Sequence, residues 1–222
     1  MKKQVIGLVG SPRLEKSASY AMVSFLCSEF KKRGWMTDYF FSHRVWQNND
    51  RFEELVTTIK KADLIVMTYP LYVDAIPAPL VKTLDDLVQK KDVFSQSKTV
   101  MAIVNNGFPE PDQNVLSVQM IRVFTQKMDW KWAGGLMIGG GGIVSQMPID
   151  EGRGPVKRVK EAFLLTAEGI INDGKVPLDA SALLSKPLMN KWIYVRMAHL
   201  GWRMRARKLG TKDLYLQPDK KN

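Results

Sequence analysis

Residues able to do chemistry gather in three short stretches of the 222-residue chain. The first is Gly10-Ser11-Pro12-Arg13-Leu14-Glu15-Lys16-Ser17-Ala18-Ser19, which follows the apolar run Val5 to Val9 and leads into a helical pattern beginning near Ser17. A tight turn at the carboxyl end of a strand, opening a helix, leaves backbone N–H groups without intrahelical partners. Together with the helix dipole they make a seat for phosphate. Ser11, Ser17 and Ser19 add hydroxyls, and Arg13 adds charge. The spacing resembles a triphosphate-binding P-loop, but Glu15 stands where that motif needs its second glycine. A dinucleotide fingerprint is missing as well, since Gly7 and Gly10 are the only glycines before Gly34. What remains suits one phosphomonoester, such as that of a mononucleotide cofactor. A turn capped by Ser17 and holding no ligand is the alternative reading.

The second stretch, Tyr69-Pro70-Leu71-Tyr72-Val73-Asp74-Ala75-Ile76-Pro77-Ala78-Pro79, is a loop stiffened by three prolines and carrying apolar and aromatic side chains. Such a wall beside a phosphate seat suits a flat aromatic ring system. The third, Asn105-Asn106-Gly107-Phe108-Pro109-Glu110, offers backbone and amide donors, with Gly107 permitting close approach.

Other chemistries find little support. The two histidines, His43 and His199, are far apart and lack Cys/His partners, and no G-x-S-x-G element occurs. The single cysteine, Cys27, excludes an internal disulfide and reads as a small core residue. Gly139 to Gly142 read as a flexible connection, or else as part of a substrate approach. Lys82 and Asp85 read as a solvated pair or a cap contact.

The elements that must position the three stretches alternate. Strands are expected at 5–9, 37–42, 64–70, 99–104 and 135–138, and helices at 17–33, 50–61, 78–91, 113–128 and 154–173. Short apolar runs covered on both faces are strands of a parallel sheet, so the pattern predicts an α/β protein with a doubly wound five-stranded parallel sheet. In such sheets the ligand lies beyond the carboxyl ends of the strands, where strand order reverses. All three stretches fall there. One domain is expected over 1–180, followed by a basic amphipathic extension over 181–222.

Charge divides unevenly. Residues 1–185 carry 23 Lys/Arg against 20 Asp/Glu, whereas residues 186–222 carry 10 against 2. The body therefore has no basic excess to lay along a nucleic-acid backbone. The amino terminus lacks the apolar length of a signal peptide, and no stretch reaches the roughly 18 apolar residues of a membrane span, so a cytoplasmic protein is expected. Within 191–208, Ile193, Met197, Leu200 and Met204 fall on one helical face, with Trp192 and Trp202 nearby and Arg196, Arg203 and Arg207 elsewhere. That segment is expected to pack on its own body or across a homodimer, to touch a membrane surface peripherally, or to form a loose arm.

Taken together, Gly10-Ser11-Pro12-Arg13 with Ser17 and Ser19, Pro70-Leu71-Tyr72 followed by Ile76-Pro77 and the helix Leu80-Val81-Lys82-x-x-Asp85, and Asn106-Gly107-Phe108 resemble the flavodoxin-like NAD(P)H-dependent FMN reductases and quinone reductases. The resemblance spans residues 4–175 in element order. It implies that Ser11, Arg13, Ser17, Ala18 and Ser19 hold the FMN phosphate, that Pro70, Leu71, Tyr72 and Val73 flank the isoalloxazine, and that Asn105, Asn106, Gly107 and Phe108 bond its polar edge. It also implies hydride transfer from NADPH or NADH to the flavin and on to a small acceptor such as a quinone or free flavin; a homo-oligomer is expected as well. A flavodoxin-type electron carrier, or a flavin-free interaction protein using the basic tail on a membrane or partner, are the competing readings.

Overall fold

The computed structural model describes residues 2–210. Its five strands are β1 (Gln4–Val9), β2 (Met36–Phe41), β3 (Leu64–Pro70), β4 (Thr99–Asn105) and β5 (Lys131–Ile138). They form one sheet in the order β2-β1-β3-β4-β5, with every neighbouring pair parallel. The doubly wound sheet expected from the alternation is therefore present. Strand order reverses between β1 and β3, which opens the crevice where ligands of such sheets bind.

The helices are α1 (Ala18–Lys32), α2 (Ser42–Trp46), α3 (Asn49–Lys61), α4 (Ala78–Gln89), α5 (Val115–Lys127), α6 (Gly141–Val144), α7 (Lys157–Asp173), α8 (Leu178–Leu184) and α9 (Lys191–Lys208). Because successive side chains of a strand point to opposite faces, β1 feeds two cores. Val5 and Val9 join Leu26, Phe30 and Phe163 of α1 and α7. Ile6 and Leu8 join Leu55, Ile59 and Leu80 of α3 and α4. Gly7 lets α1 close on the sheet, since a Cβ there would stand 2.8 Å from Val23 Cγ2. Cys27 is wholly buried, and burial pushes its thiol up to about 12, so it stays protonated and inert.

Several boundaries differ from expectation for identifiable reasons. β5 begins at Lys131, ahead of Gly135, because its first half carries a register shift opposite Val100/Met101 and Gly134 at φ 132°. A bulge and two glycines hide the strand pattern. The last long helix of the body starts at Lys157, after a 3₁₀ turn at Gly154–Val156. α2, α6 and α8 are too short to show a period. Lys82 pairs with Asp86, one turn along α4, and not with Asp85.

The chain divides into two compact units, Met1–Leu188 and Met189–Asn222. Ala180, Leu184 and Leu188, at or beyond the expected boundary, belong to the first unit's core. Of the second unit the described part centres on α9, capped by Asn190, whose side chain accepts from Trp192 N at 2.9 Å. Residues 211–222 of the expected extension lie outside the described residues. α9 is not amphipathic in the simple sense anticipated. At about 100° per residue, Ile193, Met197, Leu200 and Met204 fill one arc while Val195, Ala198, Trp202 and Ala206 fill another. Among the described residues, no helix is long and apolar enough to cross a membrane.

Candidate functional site

The loop after β1 is held tightly from behind. Gly10 N donates to Thr68 O at 2.7 Å, and a Cβ on Gly10 would meet Leu80 Cδ2 at 2.7 Å and Tyr69 Cβ at 2.8 Å. The chain then turns through a single 3₁₀ turn, with Leu14 at φ 51°. Ser11 is buried, and its Oγ accepts from Arg13 N at 3.3 Å. Ser17 is the N-cap of α1: its Oγ accepts from Tyr20 N at 3.1 Å and donates to Leu14 O at 2.6 Å. The hydroxyl proton of Ser17 is thus used within the loop. Ser19 is buried too, and its Oγ accepts from Asn105 Nδ2 at 3.0 Å. Both hydroxyls brace the loop in the described geometry. The N–H groups of Ala18 and Ser19 open the 15-residue α1 and have no partner within it. Arg13 and Lys16 add cations that have no ion-pair partner among the described residues.

Glu15, which at the sequence level looks hostile to phosphate, is held by Arg44 of α2 at 2.8 and 3.1 Å. Its own backbone N–H, and then Arg44, hold the carboxyl below the usual carboxylate range. An exposed pair of this kind adds little stability. Its effect is to neutralise the one anion of the loop and to tie the loop to the end of β2.

After β3 the chain makes a two-residue turn in which Tyr72 and Ala75 exchange N–H···O bonds, each 3.0 Å. The turn residues are Val73 (φ 48°) and Asp74 (φ 58°). A β-branched residue in the left-handed region is a steric outlier, and Val73 has no core to fill, being 98% exposed. Tyr72 stands partly exposed beside it, whereas Leu71 and Ile76 are buried. Strain of this kind persists where the surroundings over-determine it and concentrates at binding sites.

The loop after β4 is joined to the other two through Asn105, which is 5% exposed. Its Nδ2 donates to Ser19 Oγ and to Tyr69 O, both at 3.0 Å, and its backbone O accepts from Leu71 N at 2.7 Å. Asn106 shapes the loop itself: Oδ1 accepts from Phe108 N at 3.0 Å and Nδ2 donates to Glu110 O at 2.9 Å. Phe108 is more than half exposed, and a Cβ on Gly107 would meet nothing within 4 Å.

The glycine run after β5 is a packing surface for this loop. Gly140 N donates to Phe108 O at 2.6 Å and Gly141 N to Asn106 O at 2.8 Å. A Cβ on Gly139 would lie 2.0 Å from Pro109 O, and one on Gly141 2.4 Å from Asn105 Oδ1. The flexible connection expected there is instead a close backbone contact that admits only glycine at these two positions. Thr68 is a further bracing residue, its Oγ1 donating to Ser19 O at 3.1 Å. The sequence places Thr68 only within an apolar strand. His43 and His199 join no metal-binding group, and none exists among the described residues.

The donor set and the surfaces fit FMN. Two free amides at a helix start with adjacent cations suit a phosphomonoester. Exposed Tyr72, Val73 and Phe108, which fill no core, suit a flat ring.

A five-stranded parallel sheet in this order, with three braced loops at the β1/β3 reversal, defines a flavodoxin-like α/β protein. The chain belongs to the NADPH-dependent FMN reductase family, whose model matches residues 3–125. It is an NAD(P)H-dependent oxidoreductase that uses FMN and acts on small-molecule acceptors. No curated protein sequence matches it. Among solved structures, general stress protein 14 of Treponema denticola in complex with FMN has a TM-score of 0.55 at 12% identity, over 76% of this chain and 99% of that one. The NAD(P)H:quinone oxidoreductase of Methanothermobacter marburgensis gives 0.55 at 14%, over 74% and 96%. A flavone reductase gives 0.56 at 13%, over 78% and 65%. At these identities the likeness is one of fold.

Proposed function

We propose that the crevice between the loops after β1, β3 and β4 holds FMN. In this reading the phosphate sits on the N–H groups of Ala18 and Ser19, with Ser11, Arg13 and Lys16 adding hydrogen bonds or charge, and Ser17 acts through the cap it forms. Pro70, Leu71, Tyr72 and Val73 line one side of the ring, and Asn105, Asn106, Gly107 and Phe108 meet its polar edge. Bound FMN supplies the redox chemistry, taking hydride from NADPH or NADH and passing electrons to the acceptor. The chain's own work is to fix the ring between the three loops, with the 105–108 loop held in shape by its own hydrogen bonds, and to limit water.

The single observation that carries this reading is Asn105, whose side chain and backbone tie all three loops at the strand reversal. The flavin chemistry is assigned to the domain expected over 1–180. A quinone or free flavin is the acceptor class this reading favours, supported by the quinone oxidoreductase among the similar folds. The same reading includes a cytoplasmic location, a homodimer, and a peripheral membrane contact within 191–208.

The test is a visible absorption spectrum of protein given FMN and freed of excess flavin, recorded before and after NADPH without oxygen. Retained flavin bands that bleach on mixing support the assignment. Protein that retains no flavin overturns it, and retained flavin that NADPH and NADH leave oxidised points to an electron carrier.

A further inference from the structure

We infer that α9 is a docking helix for an anionic lipid bilayer, lying in the plane of the interface. Four observations lead there. First, the helix exposes large apolar side chains: Trp192 is 77% exposed, Trp202 65%, Leu200 and Met197 58% each, and Ile193 55%. Of its 18 residues only Ala206 is buried. Second, the helix carries six Lys or Arg and no Asp or Glu.

Third, the cations are placed for lipid. Arg196, Arg203 and Arg207 fall together along one flank of the Ile193, Met197, Leu200, Met204 arc, and Lys208 falls on the other, at about 100° per residue. Their long stems can lie along the apolar surface while the charges reach headgroup phosphates. Fourth, no helix among the described residues can span a membrane, so a membrane-bound α9 lies on the surface.

Charge complementarity selects this occupant. A second copy of α9 would bring two sets of cations together with no carboxylate between them. A nucleic acid would satisfy the cations and leave the exposed aliphatic arc in water. An anionic bilayer takes both at once, the apolar arc into the acyl boundary and the cations into the negative surface potential. The inference deepens the peripheral membrane contact of the proposed function by naming its lipid class; it is argued from α9 and stands whether or not the crevice holds FMN.

The experiment is co-sedimentation of the full-length protein with vesicles of phosphatidylcholine alone and of phosphatidylcholine mixed with phosphatidylserine. The expected result is sedimentation with the phosphatidylserine vesicles only, reversed by high salt. Arg203→Gln with Arg207→Gln should weaken that partition by roughly 30-fold, at the usual contribution of each basic residue near an anionic surface. Leu200→Asn should weaken it as well, and the far-ultraviolet spectrum of each variant should match that of the parent. Protein that stays in the supernatant with both vesicles overturns the inference. So does equal sedimentation with both, or a self-association abolished by Leu200→Asn while vesicle binding is unchanged. Binding to a DNA duplex in place of vesicles also overturns it.

Discussion

Replacing Asn105 by Ala should damage both the fold and the cofactor seat, and the geometry sets the size. The substitution removes donors to Ser19 Oγ and Tyr69 O, two bonds of 3.0 Å in a region where Asn105 is 5% exposed and Ser19 1%. Each lost bond costs about 1 kcal/mol net, and leaving buried acceptors unpaired costs more, so a loss of about 2–4 kcal/mol is expected. Urea denaturation of the flavin-free protein should show the midpoint falling with an unchanged slope. Since the same side chain ties the loop after β4 to that after β1, FMN affinity, measured by quenching of flavin fluorescence, should fall at least about tenfold, or 1.4 kcal/mol. Asn105→Asp keeps the volume and sets an acceptor against Tyr69 O, so it should be no better than Ala. Stability within about 0.5 kcal/mol of the parent, the range of an inconsequential surface change, together with unaltered FMN binding, would refute Asn105 as the link between the loops.

Val73→Gly relieves a left-handed φ that costs an L residue about 1–2 kcal/mol, less the entropy glycine brings to the unfolded chain. The thermal midpoint should rise by a few degrees at about 2–4 °C per kcal/mol, while FMN or acceptor binding weakens; a lower midpoint refutes the strain. Ser17→Ala removes an N-cap and should cost about 1 kcal/mol in stability. FMN affinity should move less than about tenfold, because the hydroxyl proton already goes to Leu14 O; a far larger loss would place that hydroxyl on the phosphate. Glu29 is buried, which pushes its carboxyl up, yet hydrogen bonds from Lys32 at 2.6 Å and Arg33 at 2.9 Å, with their charges, bring it net below the usual range. A lowered folded-state value gives stability above the ordinary carboxylate range that is lost as pH falls through the lowered value. Glu29→Gln should therefore flatten the acid side of the stability–pH curve, and an unchanged acid limb would refute it.

β1, β3 and β4 are legible in the sequence because each is an apolar run covered on both faces. β5 is not, since Gly134, Gly135 and a bulge interrupt its pattern. The three site loops are also legible, from their serines, prolines and asparagines. Their cross-links are not: Asn105 meets Ser19 across 86 residues, a pairing that only the sheet order creates. The same limit applies to Glu15, whose charge looks misplaced until Arg44 is found beside it. Ser17 and Ser19 show that residue type marks a candidate phosphate loop without telling which hydroxyls hold the turn. α9 has the residues of an interfacial helix, but its two apolar arcs emerge only when every position from 191 to 208 is known to be helical.

The contact between the glycine run and the loop after β4 bears on the order of assembly. Asn106 N bonds Ile138 O, and Gly140 and Gly141 donate back to Phe108 O and Asn106 O. The third wall of the crevice is thus shaped by a segment some thirty residues further along the chain. The family match ends at residue 125, before β5 begins. A ribosome-bound chain that has exposed every residue assigned to the cofactor still lacks the partner that sets the 105–108 loop. On the proposed assignment, FMN capture should await the docking of the edge strand, and a flavin signal during refolding would time the arrival of β5.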